Sequence, residues 1–156
     1  MTIKAASEEN GKDLSMVNGS KSTANCYIVS AGGTYKFPMV YGNAYKNGVN
    51  NTEAYNPSNI VGSSTAINPF WGATKITSPD IVGATKAEVL WCSTPDLVKD
   101  VTIDGGYVKF SVDKTKIKEA SAIIAVKNND AEYPSFKSGN VLWSWHIWIT
   151  SKDVVD

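Results

Sequence analysis

The chain has 156 residues, 42% of them hydrophobic, and its 15 lysines balance 15 acidic residues with no arginine anywhere. This length predicts one domain whose core is large enough to fold without metal or disulfide support. A neutral chain without arginine argues against a nucleic-acid partner, because arginine forks are the usual contacts to phosphates and guanine edges. No basic cluster marks a membrane-surface patch, and no apolar run approaches the roughly 20 residues of a transmembrane helix.

The amino-terminal quarter of the chain is predicted to contain three strands. A brief alternation over Asp13–Val17 predicts the first strand. The β-forming residues of Ala24–Ser30 predict the second. The pair Gly32-Gly33 is typical of a two-residue hairpin, so we expect Thr34–Tyr41 to return beside the second strand.

The segment 42–85 is the least regular part of the sequence. It is rich in Asn, Gly, Ser, Thr and Pro and has no sustained periodicity of either kind. An irregular connection of this length is often functional in a compact domain, or else contains short strands. Its aromatic residues offer enough apolar area to pack against the rest of the domain, so we expect the segment to be folded.

The second half of the chain is more regular. Five further strands are predicted there: Lys86–Cys92, Leu97–Ile103, Tyr107–Val112, Ser121–Lys127 and Asn140–Thr150. The turn Asp104-Gly105-Gly106 predicts a hairpin between the second and third of these. The stretch Asp113–Glu119 is about two helical turns long at most, and we interpret it as a short crossover between sheets.

The pattern as a whole predicts an all-β fold. About eight strands separated by turn signals, with almost no helix, favour an antiparallel immunoglobulin-like β-sandwich with one long irregular insertion. A β-barrel is the alternative. We expect a flexible lead-in over residues 1–12 and a single domain over residues 13–152.

The last strand, Leu142–Thr150, contains three of the five tryptophans and the only histidine. One of its faces is wholly apolar and the other is mixed, which is typical of a central strand. Alternation on this and the other strands predicts a set of largely buried residues: Trp91, Trp143, Trp145, Ile147, Ile28, Val89 and Ile124.

Catalytic chemistry has few candidates in this sequence. A nucleophile and base would have to use His146, with Cys26 or Ser144 as the nucleophile, and no nucleophile-elbow motif accompanies them. A carboxylate pair for glycoside hydrolysis could come from five acidic residues: Asp80, Glu88, Asp96, Asp100 and Asp104. Two acids in register are common on any sheet, however, so this pattern indicates little. We favour a structural role for all of these residues and predict no enzyme activity.

No metal or cofactor site is predicted either. The polar runs Asn128-Asn129-Asp130 and Asp104-Gly105-Gly106 do not match a calcium loop and are more typical of turns. Cys26 and Cys92 match no zinc spacing and allow a single disulfide at most. We favour two buried free thiols over a bridge.

Exposed aromatic residues are the candidate ligand contacts. Tryptophan can belong to a core or form a platform on which sugar rings stack. Trp91, Trp143 and Trp145 favour the core, whereas the two alternatives are evenly matched for Trp148 and Trp71. The candidate contacts are therefore Trp71, Trp148, Tyr45 and Tyr55.

Two long motifs carry a family resemblance. The first motif is Asn25-Cys26-Tyr27-Ile28-Val29-Ser30-Ala31, continued by Gly33-Thr34-Tyr35-Lys36-Phe37-Pro38-Met39-Val40-Tyr41-Gly42-Asn43. The second motif is the terminal Leu142-Trp143-Ser144-Trp145-His146-Ile147-Trp148-Ile149-Thr150. Together with Lys12-Asp13-Leu14-Ser15 and Ala87-Glu88-Val89-Leu90-Trp91, they resemble fimbrillin-like surface proteins of Bacteroides and relatives. The likeness spans roughly residues 12–152.

The resemblance implies an exported protein of the cell surface or outer membrane, often a lipoprotein, concerned with adhesion or fimbria-like assembly. Its implied partners are other envelope or fimbrial subunits, or a host or glycan surface. The first residues, Met1–Lys4, show no signal-peptide apolar segment and no lipoprotein signal, in contrast to the family.

Two functions follow as hypotheses. The first is a non-catalytic envelope module for adhesion or assembly, which the motifs favour. The second is a carbohydrate-binding module, which the exposed aromatic candidates and the Asn/Thr/Ser-rich segment favour.

Overall fold

The computed structural model describes residues 11–55, 76–128 and 141–151, and within them the chain is almost entirely β. The strands are β1 Lys12–Asp13, β2 Met16–Val17, β3 Ser20–Lys21, β4 Cys26–Val29, β5 Gly33–Pro38, β6 Tyr45–Lys46, β7 Val49–Asn50, β8 Lys86–Cys92, β9 Val98–Asp104, β10 Tyr107–Val112, β11 Ala120–Lys127 and β12 Val141–Ile149. The predicted all-β sandwich is confirmed.

Eight of these strands form two four-stranded sheets. Sheet I has the order β1-β5-β10-β9, and sheet II has the order β4-β12-β11-β8. The remaining strands pair as two small hairpins, β2 with β3 and β6 with β7. Strand β12 lies between β4 and β11, so the prediction that the tryptophan-rich strand is central is confirmed.

Two pairings depart from a purely antiparallel arrangement. Strand β1 runs parallel to β5, and β4 runs parallel to β12. Parallel neighbours cannot be joined by a tight turn, so other parts of the chain must lie between them in the sequence. Strands β2 to β4 lie between β1 and β5, and strands β5 to β11 lie between β4 and β12. The other pairings within the two sheets are antiparallel.

The core lies between the two sheets and is built from alternate residues of both. Tyr35, Phe37 and Phe110 project from sheet I, and Trp145 projects from sheet II. The ring centroids of Phe37 and Trp145 lie 4.8 Å apart across the interface. Aromatic side chains of this size bury roughly 150 to 250 Å² each, so this contact joins the two sheets at the centre of the core.

The predicted Gly32-Gly33 hairpin is wrong, because β4 belongs to sheet II and β5 to sheet I. Gly32 lies instead at a close backbone approach: a Cβ built on it would fall 2.3 Å from Cβ and 2.5 Å from Cα of Lys114. The chain therefore crosses between sheets where only glycine fits. By contrast, the Gly105-Gly106 hairpin between β9 and β10 is confirmed.

The short crossover predicted over Asp113–Glu119 is also present. It contains a 3₁₀ turn at Lys114–Lys116, which links β10 of sheet I to β11 of sheet II. The Asp113 carboxylate accepts hydrogen bonds from the Thr115 backbone N–H at 2.9 Å and from the Thr115 hydroxyl at 2.6 Å. These bonds hold the pKa of Asp113 at about 2.

The predicted core residues divide into three groups. Trp145, Ile147 and Ile124 are fully buried, as predicted. Two others, Trp143 and Val89, are partly buried and pack against the core. The last two, Ile28 and Trp91, were predicted wrongly: Ile28 is only partly buried and Trp91 is 55% exposed.

The irregular segment 42–85 is folded where the structure describes it. The β6–β7 hairpin is followed by a 3₁₀ turn at Thr52–Ala54, and Val40, Ala44 and Tyr55 form a second small core. Residues 56–75, which include Trp71, lie outside the described residues.

The two cysteines are free, as predicted, but the prediction that both are buried is wrong. Cys26 is exposed on β4 and Cys92 is partly buried on β8. Because β4 and β8 are the opposite edges of sheet II, three strand spacings, about 14 Å, separate them. A disulfide requires Cα atoms no more than about 7 Å apart, so the fold excludes this bridge.

Candidate functional site

The candidate site is the face of sheet II that points away from sheet I, called here the outer face. Its residues follow from the register of the four strands. One row across the sheet consists of Trp91, Ile123, His146 and Cys26. The next row contains Ser121, Trp148 and Ile28. Since these strands are hydrogen-bonded to one another, the side chains of the outer face have fixed relative positions.

A β-bulge places Trp91 on the outer face. Ile124 pairs with Val89 and Ile123 pairs with Trp91, so Leu90 is the extra residue on β8. Without a bulge, Trp91 would share the inward side of Val89. The additional residue reverses the alternation, as bulges do, and Trp91 turns towards solvent.

This bulge explains why sequence analysis placed Trp91 in the core. Alternation through Ala87 and Val89 continues to Trp91 only if the strand is regular. The one sign of an irregularity is that Val89, Leu90, Trp91 and Cys92 are four apolar residues in succession. A strand with one solvent-facing side does not normally contain such a run.

Trp148 lies on the outer face as predicted and is 40% exposed. The Glu119 carboxylate lies near its indole N–H. That carboxylate accepts hydrogen bonds from the Thr150 hydroxyl at 2.7 Å and the Ser151 N–H at 3.2 Å. The bonds from Thr150 and Ser151 lower the pKa of Glu119. An ionised carboxylate therefore lies at one edge of the Trp148 ring at neutral pH.

His146 and Cys26 are neighbours on the outer face, at 3.5 Å between Nδ1 and Sγ. The sequence offers these two residues as a candidate nucleophile and base, and the parallel pairing of β4 and β12 brings them together. Burial raises the pKa of the Cys26 thiol, however. A catalytic cysteine needs a lowered pKa, so the environment does not activate this thiol.

Glu88 lies on the outer face, in register with Ala125 and Ser144, and is ion-paired on two sides. Its carboxylate contacts the ammonium groups of Lys86, at 2.8 Å, and Lys127. Hydrogen bonds from Lys127, and then from Lys86, lower the pKa of Glu88. A carboxylate held in this way stays ionised and is a poor general acid.

Two other candidate aromatic residues, Tyr55 and Tyr45, lie apart from the outer face. Tyr55 is only 5% exposed, and its hydroxyl donates to Asn50 Oδ1 at 2.8 Å, so its ring serves packing in this structure. Tyr45 is partly buried on β6, with the Lys21 ammonium 4.0 Å from its ring centroid. Trp71 falls in the segment that is not described.

A concave feature lies along the free edge of β4. Its volume is about 250 Å³, and its lining is Leu14, Val17, Ser22, Thr23, Ala24, Cys26, Tyr27 and Ile28. Small-molecule sites usually occupy roughly 300 to 1,000 Å³ and combine apolar walls with a few convergent polar groups. The concave feature shares Cys26 and Ile28 with the outer face, and the two exposed indoles make the outer face the stronger candidate for a binding site.

Residues 11–55, 76–128 and 141–151 contain no cluster of three or more His, Cys, Asp or Glu side chains that could hold a metal ion. They also contain no helix that is long and apolar enough to cross a membrane.

Comparison of the chain with protein-family models, with curated proteins and with solved structures gave no match. The fimbrillin-like resemblance therefore stays a prediction from the motifs, and function must be argued from the site itself.

Proposed function

We propose that this protein is a non-catalytic binding module of the cell envelope, acting in adhesion or fimbria-like assembly, and that it binds through the outer face of sheet II. The observation that supports this proposal most is the exposure of Trp91 and Trp148 on one rigid sheet. Large exposed apolar side chains that lie together on a folded surface usually mark an interaction site.

Tryptophan is well suited to this role. Its large ring offers contact area with only two side-chain torsions to immobilise, so the entropic cost of binding is low. The two strands that bear the indoles, β8 and β12, are held by β11 between them. Their positions are thus set before a partner arrives, which lowers the cost of binding further.

The envelope setting rests on the motif resemblance. The two long motifs contain β4 and β12, which are hydrogen-bonded neighbours in sheet II. Within them, Asn25 accepts a hydrogen bond from the Trp143 indole at 3.0 Å, and Tyr41 makes an edge-on contact with the same ring. The residues that carry the resemblance therefore form one contiguous part of the fold.

The test is a surface-adhesion assay. Beads coated with the purified protein are exposed to epithelial cells and to extracellular-matrix proteins, and retention under flow is measured. We expect the double variant Trp91→Ser, Trp148→Ser to lose most of its retention. The control is Val49→Ser, Val82→Ser, which removes two exposed apolar side chains outside sheet II. Equal retention of the two double variants would contradict the proposal.

The alternative function, a carbohydrate-binding module, uses the same face. The observation that favours it is the polar neighbourhood of Trp148: Ser121 lies directly opposite it on β11, and Glu119 lies near its indole N–H.

A further inference from the structure

The spacing of the two exposed indoles limits the shape of the ligand. Trp91 pairs with Ile123, and Trp148 pairs with Ser121, so the tryptophans lie two strands apart and are offset by two residues. With strands about 4.8 Å apart and a rise of about 3.4 Å per residue, their Cα atoms are about 12 Å apart. One sugar-sized ring cannot cover both indoles, but an extended chain of rings can.

The surface between the indoles alternates apolar and polar groups. The partly buried Ile123 lies beside Trp91, the partly buried His146 lies beyond it on β12, and Ser121 lies beside Trp148. The next outward residue of β12 is the exposed Ser144. A pyranose ring presents C–H groups on its faces and hydroxyl groups on its rim. Its faces match the indoles, and its hydroxyls match the serine, imidazole and carboxylate groups around them.

The charges of this surface indicate a neutral ligand. The two rows that contain Trp91 and Trp148 have no lysine, aspartate or glutamate, whereas the next row of the outer face contains Glu88, in register with Ala125 and Ser144. Glu88 is ion-paired with both Lys86 and Lys127, which leaves one positive charge in that cluster. The exposed Glu119 offsets this charge, so the four charges of the face and its margin sum to zero. Near Trp148 the ionised Glu119 would repel an anionic chain but accepts hydrogen bonds from hydroxyl groups. Charge complementarity therefore disfavours sulfated or uronic-acid polymers.

We infer that the outer face binds a neutral oligosaccharide chain, with separate sugar rings stacked on Trp91 and Trp148 and with Ser121, His146 and Glu119 bonding the hydroxyls. This inference rests on the proposed function, in which the outer face is the binding surface. It adds the chemical class and the minimum extent of the ligand.

The experiment is titration calorimetry of the purified protein with neutral oligosaccharides derived from cellulose, xylan and mannan, from monosaccharide to hexasaccharide. We expect no measurable heat with monosaccharides and an affinity that rises with chain length in at least one series. Trp91→Ala and Trp148→Ala should each weaken hexasaccharide binding about tenfold or more, which corresponds to about 1.4 kcal/mol. The control Val82→Ala should bind as the parent does.

Several outcomes overturn the inference. If no oligosaccharide binds but the tryptophan variants still lose adhesion to matrix proteins, the ligand is a protein, and only the proposed function survives. If the tryptophan variants change neither adhesion nor binding, both fail. Preferential binding of heparin or polygalacturonate, or affinity that is independent of chain length, would also contradict a neutral extended ligand.

Discussion

Trp145 and Trp91 are the same residue type in opposite environments, which makes them a matched pair for mutation. Trp145 is 1% exposed and packs against Phe37, whereas Trp91 projects into solvent from the bulged part of β8. We expect Trp145→Ala to lower the free energy of unfolding by about 3 to 5 kcal/mol, because it removes a large buried ring and leaves a cavity. Such a loss approaches the whole stability of a marginal domain.

The control is Trp91→Ala, which should change the free energy of unfolding by less than about 1 kcal/mol. Both values are measured by urea unfolding followed by circular dichroism. An unchanged melting temperature for Trp145→Ala would contradict the assignment of the core.

Glu88 should contribute a pH-dependent part of the stability. Its pKa in the folded protein is lowered by Lys127 and Lys86 from an ordinary value of 4.5. The contribution is therefore complete above pH 4.5 and is lost as the pH falls through the lowered pKa of the folded state. Glu88→Gln should cost about 1 kcal/mol at neutral pH, since the pairs are partly exposed, and the cost should shrink in acid.

This difference is read from urea unfolding of both proteins between neutral pH and about pH 3. Asp104→Asn, which alters an exposed acid in the β9–β10 turn, serves as the comparison. A Glu88→Gln cost that stays constant across this range would show that the ion pairs do not operate as described.

At the level of elements, close backbone packing at Gly32 decides how the chain passes from β4 to β5. An added Cβ would meet backbone and side-chain atoms of Lys114 well inside van der Waals distance. We expect Gly32→Ala to destabilise the protein by about 2 to 3 kcal/mol, because overpacked positions force the backbone to shift.

Gly106→Ala is the informative comparison, since its φ is +82° and an added Cβ would meet open space. It should cost only the strain of the left-handed conformation, about 1 to 2 kcal/mol. Thermal unfolding of both variants shows which substitution destabilises the protein more. A smaller loss of stability for Gly32→Ala than for Gly106→Ala would contradict the close approach of Gly32 to Lys114.

The strands from β8 to β12 could be predicted from the sequence because each has local signals. Alternation marks their extent, and the Gly105-Gly106 turn has the positive φ values that a two-residue hairpin requires. The Gly32-Gly33 pair carries a similar local signal, yet its role is set by Lys114, which is distant in the sequence. Local patterns cannot reveal such a contact.

Only one of the two exposed tryptophans of the candidate site could be predicted from the sequence, for a related reason. Trp148 follows from the mixed face of a regular strand, because β12 is regular from Trp143 to Ile149. Trp91 does not, because the Leu90 bulge depends on how β8 pairs with β11. One unpaired residue is enough to move a tryptophan from the expected core to the surface.

For the whole molecule, the order of strands in sheet II determines the state of the cysteines. Cys26 and Cys92 lie on its opposite edges, so oxidation cannot join them while the fold is intact. We expect two reactive thiols per chain when the unreduced protein is denatured and titrated. In the native protein Cys26 should react first but slowly at neutral pH, since it is exposed and its pKa is raised.

A single thiol or none in the denatured, unreduced protein would contradict the arrangement of sheet II. The variant Cys26→Ser provides the control, because it should retain one thiol, that of the partly buried Cys92, which reacts faster in the denatured protein than in the native one.

The account as a whole depends on the outer face being the surface that meets the ligand. The most direct measurement follows the indole N–H resonances of the five tryptophans by ¹⁵N NMR while a ligand is added. The ligand is the hexasaccharide with the highest affinity or, if no oligosaccharide binds, the most strongly retained matrix protein. The resonances of Trp91 and Trp148 should shift or broaden together, while those of Trp143 and the buried Trp145 stay in place. Perturbation of Trp71 alone, with Trp91 and Trp148 unchanged, would contradict the account and move recognition to the irregular segment.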